Sequence, residues 1–200
     1  MRRFAVLLIC IALSACFPAG RRGADRAPAV YDLGLAPAPL VVERPVALAL
    51  EVHAPPWLDA VGIDYRLAYQ DAARRHQYAY ARWVASPAQL IQQRLVQQLA
   101  LTGQGRGRAG CFIRLELGEF EQVFATPESS KGLLIGRAYW LDRSRRPVAE
   151  LLLEIEKPAP TPDASGGIKA LQATVDQLSA DLLSWEKRLL QSGKIKGCAG

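Results

Sequence analysis

The sequence predicts a single α/β domain with a strong antiparallel component in its sheet and a long amphipathic helix at its C-terminal end. Three patterns carry that expectation. Apolar residues alternate with polar ones at Ile63, Tyr65, Leu67 and Tyr69, and again at Cys111, Ile113, Leu115 and Leu117, as half-buried strands require. Two strand-like runs, 131–142 and 147–156, flank Arg143-Ser144-Arg145-Arg146, which has the polarity and placement of a hairpin turn. Finally Ile168, Leu171, Val175, Leu178, Leu182, Trp185 and Leu189 recur at spacings of three and four, the stripe of a long helix.

The remaining elements follow in order. Val30 to Gly34 and Val46 to Val52 are short β-preferring runs bounded by Pro or Gly and read as strands. Pro55 to Asp59 reads as a loop or short turn, and the Tyr65 and Tyr78–Tyr80 alternations as a hairpin around Asp71 to Arg75. Ser86-Pro87 predicts a helix start, with Ser as N-cap and Pro at a position where its missing N–H costs nothing. Leu90, Ile91, Leu95 and Leu99 give that helix its core stripe, and Gly103 is expected to stop it. Gly118 marks a bulge in the strand that begins at Cys111. Residues 158–167 are expected to be a linker, and Gly193 to end the last helix, with Lys187 and Arg188 complementing its dipole. The terminal stripe also suits a coiled-coil seam, but packing on the domain's own sheet is the expected use.

The N-terminus has a different character. Arg2 and Arg3 precede an apolar run from Phe4 to Leu13 that ends in small residues, the order of a secretory signal. The run is about half the roughly 20 residues a membrane-spanning helix needs. Leu13-Ser14-Ala15-Cys16 resembles the lipobox of bacterial lipoproteins. That resemblance implies cleavage before Cys16 and acylation, including palmitate, at that residue; two or more acyl chains give stable anchoring. Phe17 stands where enteric bacteria place Asp to retain a lipoprotein in the inner membrane, so the periplasmic face of the outer membrane is the expected location. The expected organisation is a signal peptide over 1–15, a lipidated tether over 16–28 and one domain over 29–200.

Of 25 basic residues two lie in 1–15, so the mature chain carries 23 against 19 acidic ones, a formal charge of +4. Such weak positive charge fits life beside anionic lipid and is equally ordinary for a soluble domain. Cys111 and Cys198 are the two thiols left once Cys10 and Cys16 are accounted for, and in an oxidising periplasm they are disulfide candidates. Two unpaired cysteines stay open, since the sequence gives no Cα separation.

Residue types for chemistry are sparse. His53 and His76 fall on separate segments, which offers little to a metal cluster or a His-based triad. No Gly-x-Ser-x-Gly elbow is present. Asp59 and Asp64 read as solvated loop carboxylates rather than an acid–base pair. Residues 103–108 look like a glycine-rich phosphate loop but follow a helix and precede a strand, the reverse of a dinucleotide fingerprint. No enzyme activity, cofactor, metal or nucleic-acid partner is expected.

Several segments together carry a family resemblance: Tyr31-Asp32-Leu33-Gly34, Pro56-Trp57-Leu58-Asp59, Ile63-Asp64-Tyr65-Arg66, Tyr80-Ala81-Arg82-Trp83, Ser86-Pro87 with Leu90, Arg94-Leu95 and Leu99, Glu119 to Phe124, and Lys131-Gly132-Leu133-Leu134. In this order the chain resembles the PqiC-like auxiliary lipoproteins of MCE-associated ABC-type transport systems. The resemblance implies a mixed sheet covered by helices, like the small domain of TolB or an anticodon-binding domain, and no catalytic residues. It also implies service to an envelope lipid transporter, with an ABC ATPase, a permease and an MCE-domain protein as partners. Contact with phospholipid and self-association stay open. Trp57, Tyr65, Tyr78, Tyr80 and Trp83 are the candidate docking residues, because aromatic anchors concentrate interface energy; the alternative is that they fill the core. A lipoprotein chaperone or pilotin for an outer-membrane protein or lipopolysaccharide machine is the alternative role.

Overall fold

The computed structural model describes residues 27–44, 46–103 and 110–198, so the signal sequence, Cys16 and most of the glycine-rich run lie outside the described residues. The chain order is β1 (Ala29–Tyr31), β2 (Leu48–His53), a 3-10 turn at Pro56–Leu58, β3 (Gly62–Leu67), β4 (Arg75–Trp83) and α1 (Pro87–Leu99). It continues through β5 (Thr102–Gly103), β6 (Cys111–Thr126), β7 (Ser129–Leu141), β8 (Pro147–Pro158), α2 (Ala164–Gln191) and a 3-10 turn at Lys196–Cys198. The eight strands form one mixed sheet.

The long strand β6 is its spine. Along one edge it pairs antiparallel with β7, which pairs antiparallel with β8. Its other edge is divided: β2 lies parallel to Cys111–Glu116 and β3 lies parallel to Gln122–Phe124. The sheet grows outward on that side through β5 beside β2, and through β4 and β1 beside β3. Gly118 falls at the register shift between Leu117 and Glu119, which lets one strand serve both partners.

Pairing keeps Leu48 and Leu50 on the same face as Cys111 and Ile113, and Ile113 on the same face as Trp140. That face receives both described helices. Leu171, Val175, Leu178, Leu182, Trp185 and Leu189 of α2 are all buried, as are Ile91, Leu95 and Leu99 of α1, so the two helical stripes close one core over the sheet. Arg94 of α1 joins Asp176 of α2 at 3.0 Å across the helix–helix seam. Neither described helix covers the opposite face.

Several boundaries and one cap differ from the expectations. The first strand ends at Tyr31, because Asp32 accepts the Gly34 N–H at 2.7 Å and Gly34 turns the chain at φ +71°. Ser86 starts α1 in extended backbone but makes no side-chain cap; its buried hydroxyl has no hydrogen-bond partner among the described residues. The helix stops at Leu99 rather than near Gly103, with Ala100 in the left-handed region at φ 49°. Gly103 belongs instead to β5. At the far end, residues 164–167 are helix rather than linker: Asp163 is the N-cap, its carboxylate accepting the Gly166 N–H at 2.8 Å.

The glycine pattern explains the close seat of α2. A Cβ at Gly132 of β7 would stand 2.7 Å from the Ala170 carbonyl carbon and 2.8 Å from the Leu171 nitrogen, and a helix backbone cannot swing aside as a side-chain tip can. Gly132→Ala is therefore expected to lift α2 from the sheet and lower stability by about 1–3 kcal/mol, the usual range for overpacking. An unchanged urea midpoint would show that the helix accommodates the methyl group.

Candidate functional site

The five aromatic candidates separate into three environments. Trp83 is core: it is only 2% exposed, packs at 6.0 Å from the Phe120 ring and is not a docking residue. The correction has a simple cause, since its register partner Tyr31 places it on the helix-covered face. Tyr65 and Tyr78 are half-buried and meet each other at 4.5 Å between ring centroids. His76 stacks on Tyr65 at 5.1 Å, and Phe124 meets it edge-on at 6.0 Å. Tyr78 donates its hydroxyl hydrogen to Gln122 Oε1 at 2.7 Å, and Gln122 Nε2 donates to Ser130 Oγ at 2.8 Å. Burial pushes the Tyr78 hydroxyl well above the ordinary phenol range, so it is a hydrogen-bond donor at neutral pH.

Trp57 and Tyr80 form the third group, each 63% exposed. Trp57 lies in the turn between β2 and β3, held in place by its neighbour Leu58, which is buried. Tyr80 stands on β4 within a register irregularity: Gly62 pairs with Arg82, yet Asp64 pairs with Gln77. The extra β4 residues opposite Ile63 bulge, and Tyr80 is carried out to solvent. Of the aromatic candidates, these two present a free surface.

The uncovered face of the sheet holds a feature that periodicity alone missed. Asp64 is buried, not a solvated loop carboxylate, and it shares that face with Glu119, Glu121, Arg66 and Arg75. Arg66 Nε donates to Glu121 Oε1 at 2.8 Å, while Arg75 bonds Glu119 and reaches Asp64 at 3.4 Å. Three carboxylates thus face two guanidinium groups, and Glu121 is only 1% exposed. Burial raises both the Glu121 and the Asp64 carboxyl above the ordinary range; the nearby arginines pull the other way without overcoming it. A tie to Glu121 in turn holds Arg66 above its ordinary value. The only sequence signal for this cluster was the alternation of charge with apolar residues in β3 and β6, which any solvated face also shows.

A raised folded-state carboxyl pKa means that the folded chain binds the proton more tightly than the unfolded one. The stability linked to that group is greatest below its unfolded pKa and is lost as pH rises through the folded value. Glu121→Gln removes the titration while keeping shape. Its stability relative to the wild type should therefore increase from acid to neutral pH, read from urea midpoints across that range; a pH-independent difference would refute the assignment.

A second ion cluster lies farther along the same face, where Glu51 is held by Arg145 at 2.5 Å and by Arg114 at 3.5 Å. The arginine side chains lower the Glu51 carboxyl against the opposing effect of burial. Arg145 also sits 4.3 Å over the Phe112 ring. At the end of the sheet Cys111 and Cys198 are joined by a disulfide with a Cα separation of 5.5 Å, which ties the C-terminal turn to the start of β6. Among the described residues no group of three or more His, Cys, Asp or Glu side chains is arranged to hold a metal, and no helix is long and apolar enough to cross a membrane. Cys16 lies outside the described residues.

No protein-family model and no curated protein matches the chain. Among solved structures it is similar to protein XCC0632 from Xanthomonas campestris, described by the family model DUF330, with a TM-score of 0.66 at 17% identity over 82% of this chain and 98% of that one. It is also similar to an uncharacterized protein, with a TM-score of 0.61 at 14% identity over 78% of this chain and 96% of the other. At these identities the likeness establishes a shared fold. These findings correct the family resemblance drawn from the motifs: no model of an ABC-transport auxiliary lipoprotein family matches, and the Xanthomonas protein of similar fold is described by the family model DUF330.

Proposed function

We propose that this chain, which shares its fold with a DUF330 protein, is a membrane-anchored periplasmic lipoprotein that serves an envelope transport system moving lipid between the inner and outer membranes. The observation that carries the anchor is Leu13-Ser14-Ala15-Cys16 at the end of a short apolar signal. Acylation of Cys16 would hold the domain at one membrane, and a rigid domain held there works by docking partners. Trp57 and Tyr80 supply the exposed aromatic side chains for that docking. The most specific form of the proposal names those partners as an MCE-domain protein with its ABC permease and ATPase. On this reading the domain is an accessory component rather than an enzyme.

Affinity purification of the full-length lipoprotein from native membranes in mild detergent, followed by mass spectrometry, tests the proposal. Recovery of an MCE-domain protein with its permease is the expected result, and Trp57→Ala with Tyr80→Ala should reduce that recovery while leaving the fold intact. Recovery of an outer-membrane barrel or secretion component, with no MCE-domain protein, would replace the proposal with an assembly role.

A further inference from the structure

The segment between β1 and β2 crosses the helical layer as a strap. Leu33 is buried and Val41 packs against the core, but the side chains between and beside them point away: Leu35 is 99% exposed, Val42 88% and Leu40 47%. These are not the tips of a loose loop. Arg94 of α1 donates to the Leu33 and Gly34 carbonyls, and the Leu40 and Val41 N–H groups both donate to the Gln98 carbonyl, at 2.9 and 3.0 Å. Beyond the exposed run, Arg44 donates to the Leu99 carbonyl at 2.6 Å and pairs with Glu186 of α2. The fold therefore spends several hydrogen bonds on holding apolar side chains out in solvent.

We propose that residues 34–42 are a phospholipid-contact surface, which seats the domain on the membrane that holds Cys16. This rests on the lipid-anchor part of the function proposed above. The first argument is chemical. No charged residue lies between Asp32 and Glu43, and the exposed side chains are aliphatic, without the Trp, Tyr or Arg anchors that concentrate energy in protein–protein interfaces. Pro37 and Pro39 have no N–H, so the strap takes fewer unsatisfied donors into the boundary between headgroups and acyl chains than an ordinary segment would.

The second argument is reach. Ala29 stands 13 positions after Cys16, and the strap begins directly after β1. At full extension 13 residues reach at most about 45 Å, and a domain of this size is on the order of 40 Å across. A lipid on Cys16 would therefore keep β1 and the strap that follows it within reach of the bilayer. Arg21, Arg22 and Arg26 in the intervening segment add attraction to anionic headgroups.

The test uses full-length protein in cells, with the photoreactive residue p-benzoylphenylalanine replacing Leu35 or Val42. Leu152, an exposed leucine on the uncovered sheet face, is the control. Cells are labelled in parallel with radioactive phosphate and with radioactive palmitate. After irradiation a phosphate-labelled adduct is expected at Leu35 and Val42 and is expected to be lost at Leu152. Palmitate on the protein with no phosphate-labelled adduct at Leu35 or Val42 would overturn the strap proposal alone, as would adducts of protein mass there. Equal phosphate labelling at Leu152 would also overturn it. Absence of palmitate would overturn the anchor, and the strap proposal with it.

Discussion

Cys198→Ser is expected to lower the free energy of unfolding by about 4–5 kcal/mol under oxidising conditions. The estimate comes from chain entropy: the Cys111–Cys198 bond spans a sequence separation of 87, and closing so long a loop removes much of the unfolded chain's freedom. The bond does local work as well. It pins the turn after α2 to the first residue of β6, next to buried Ile195 and the indole of Trp140, whose Nε1 lies 3.4 Å from Cys198 Sγ. Equilibrium unfolding of the wild type in urea, with and without reductant, measures the effect. Reduction should bring the wild type down to the variant and leave the variant unmoved. A wild type insensitive to reductant would show that the bond contributes nothing to stability.

The second large effect lies beside it. Trp140→Ala should cost about 3–5 kcal/mol, the range for emptying a fully buried large aromatic site. Trp140 is 1% exposed on the helix-covered face, near the end of β7, and meets Trp185 of α2 edge to face at 6.0 Å. Because the two rings touch, Trp140→Ala and Trp185→Ala should not add: a coupling of about 0.5–1.5 kcal/mol is expected from a double-mutant cycle on urea midpoints. Strict additivity would mean that the rings contribute only through the area each buries.

Strand and helix periods were legible because they are local. The alternation from Cys111 to Leu117 and the stripe from Ile168 to Leu189 each report which side of one element is buried, and the described burial follows both. Boundaries were less legible. Gly166 and Gly167 look like linker residues, but in the structure they lie in the first turn of α2, where the Asp163 cap receives the Gly166 N–H and the missing side chain of Gly167 leaves room for Gln122 of the sheet. Ala100, not Gly103, takes the left-handed turn after α1, because β5 must begin almost at once to pair with β2. Tertiary pairing overrode the local preference for glycine.

The candidate site divides on the same line. An aromatic residue reads identically in a core and on a docking face, so Trp83 and Tyr80, three positions apart, were alike until pairing buried one and a register irregularity exposed the other. The carboxylates of Asp64, Glu119 and Glu121 become a cluster only when β3 lies parallel to the second half of β6, more than 50 residues further along the chain.

By itself the sequence determined the number and type of the main elements and the two thiols available to bond. Each of those depends on residues close together in the chain or on composition. Only the tertiary structure decided which aromatic side chains are free, that two arginines and three carboxylates share one uncovered face, and that an uncharged strap is held outward across the helices. Those depend on contacts between distant segments, and contact free energy is set by which surfaces meet, a quantity that no local pattern contains.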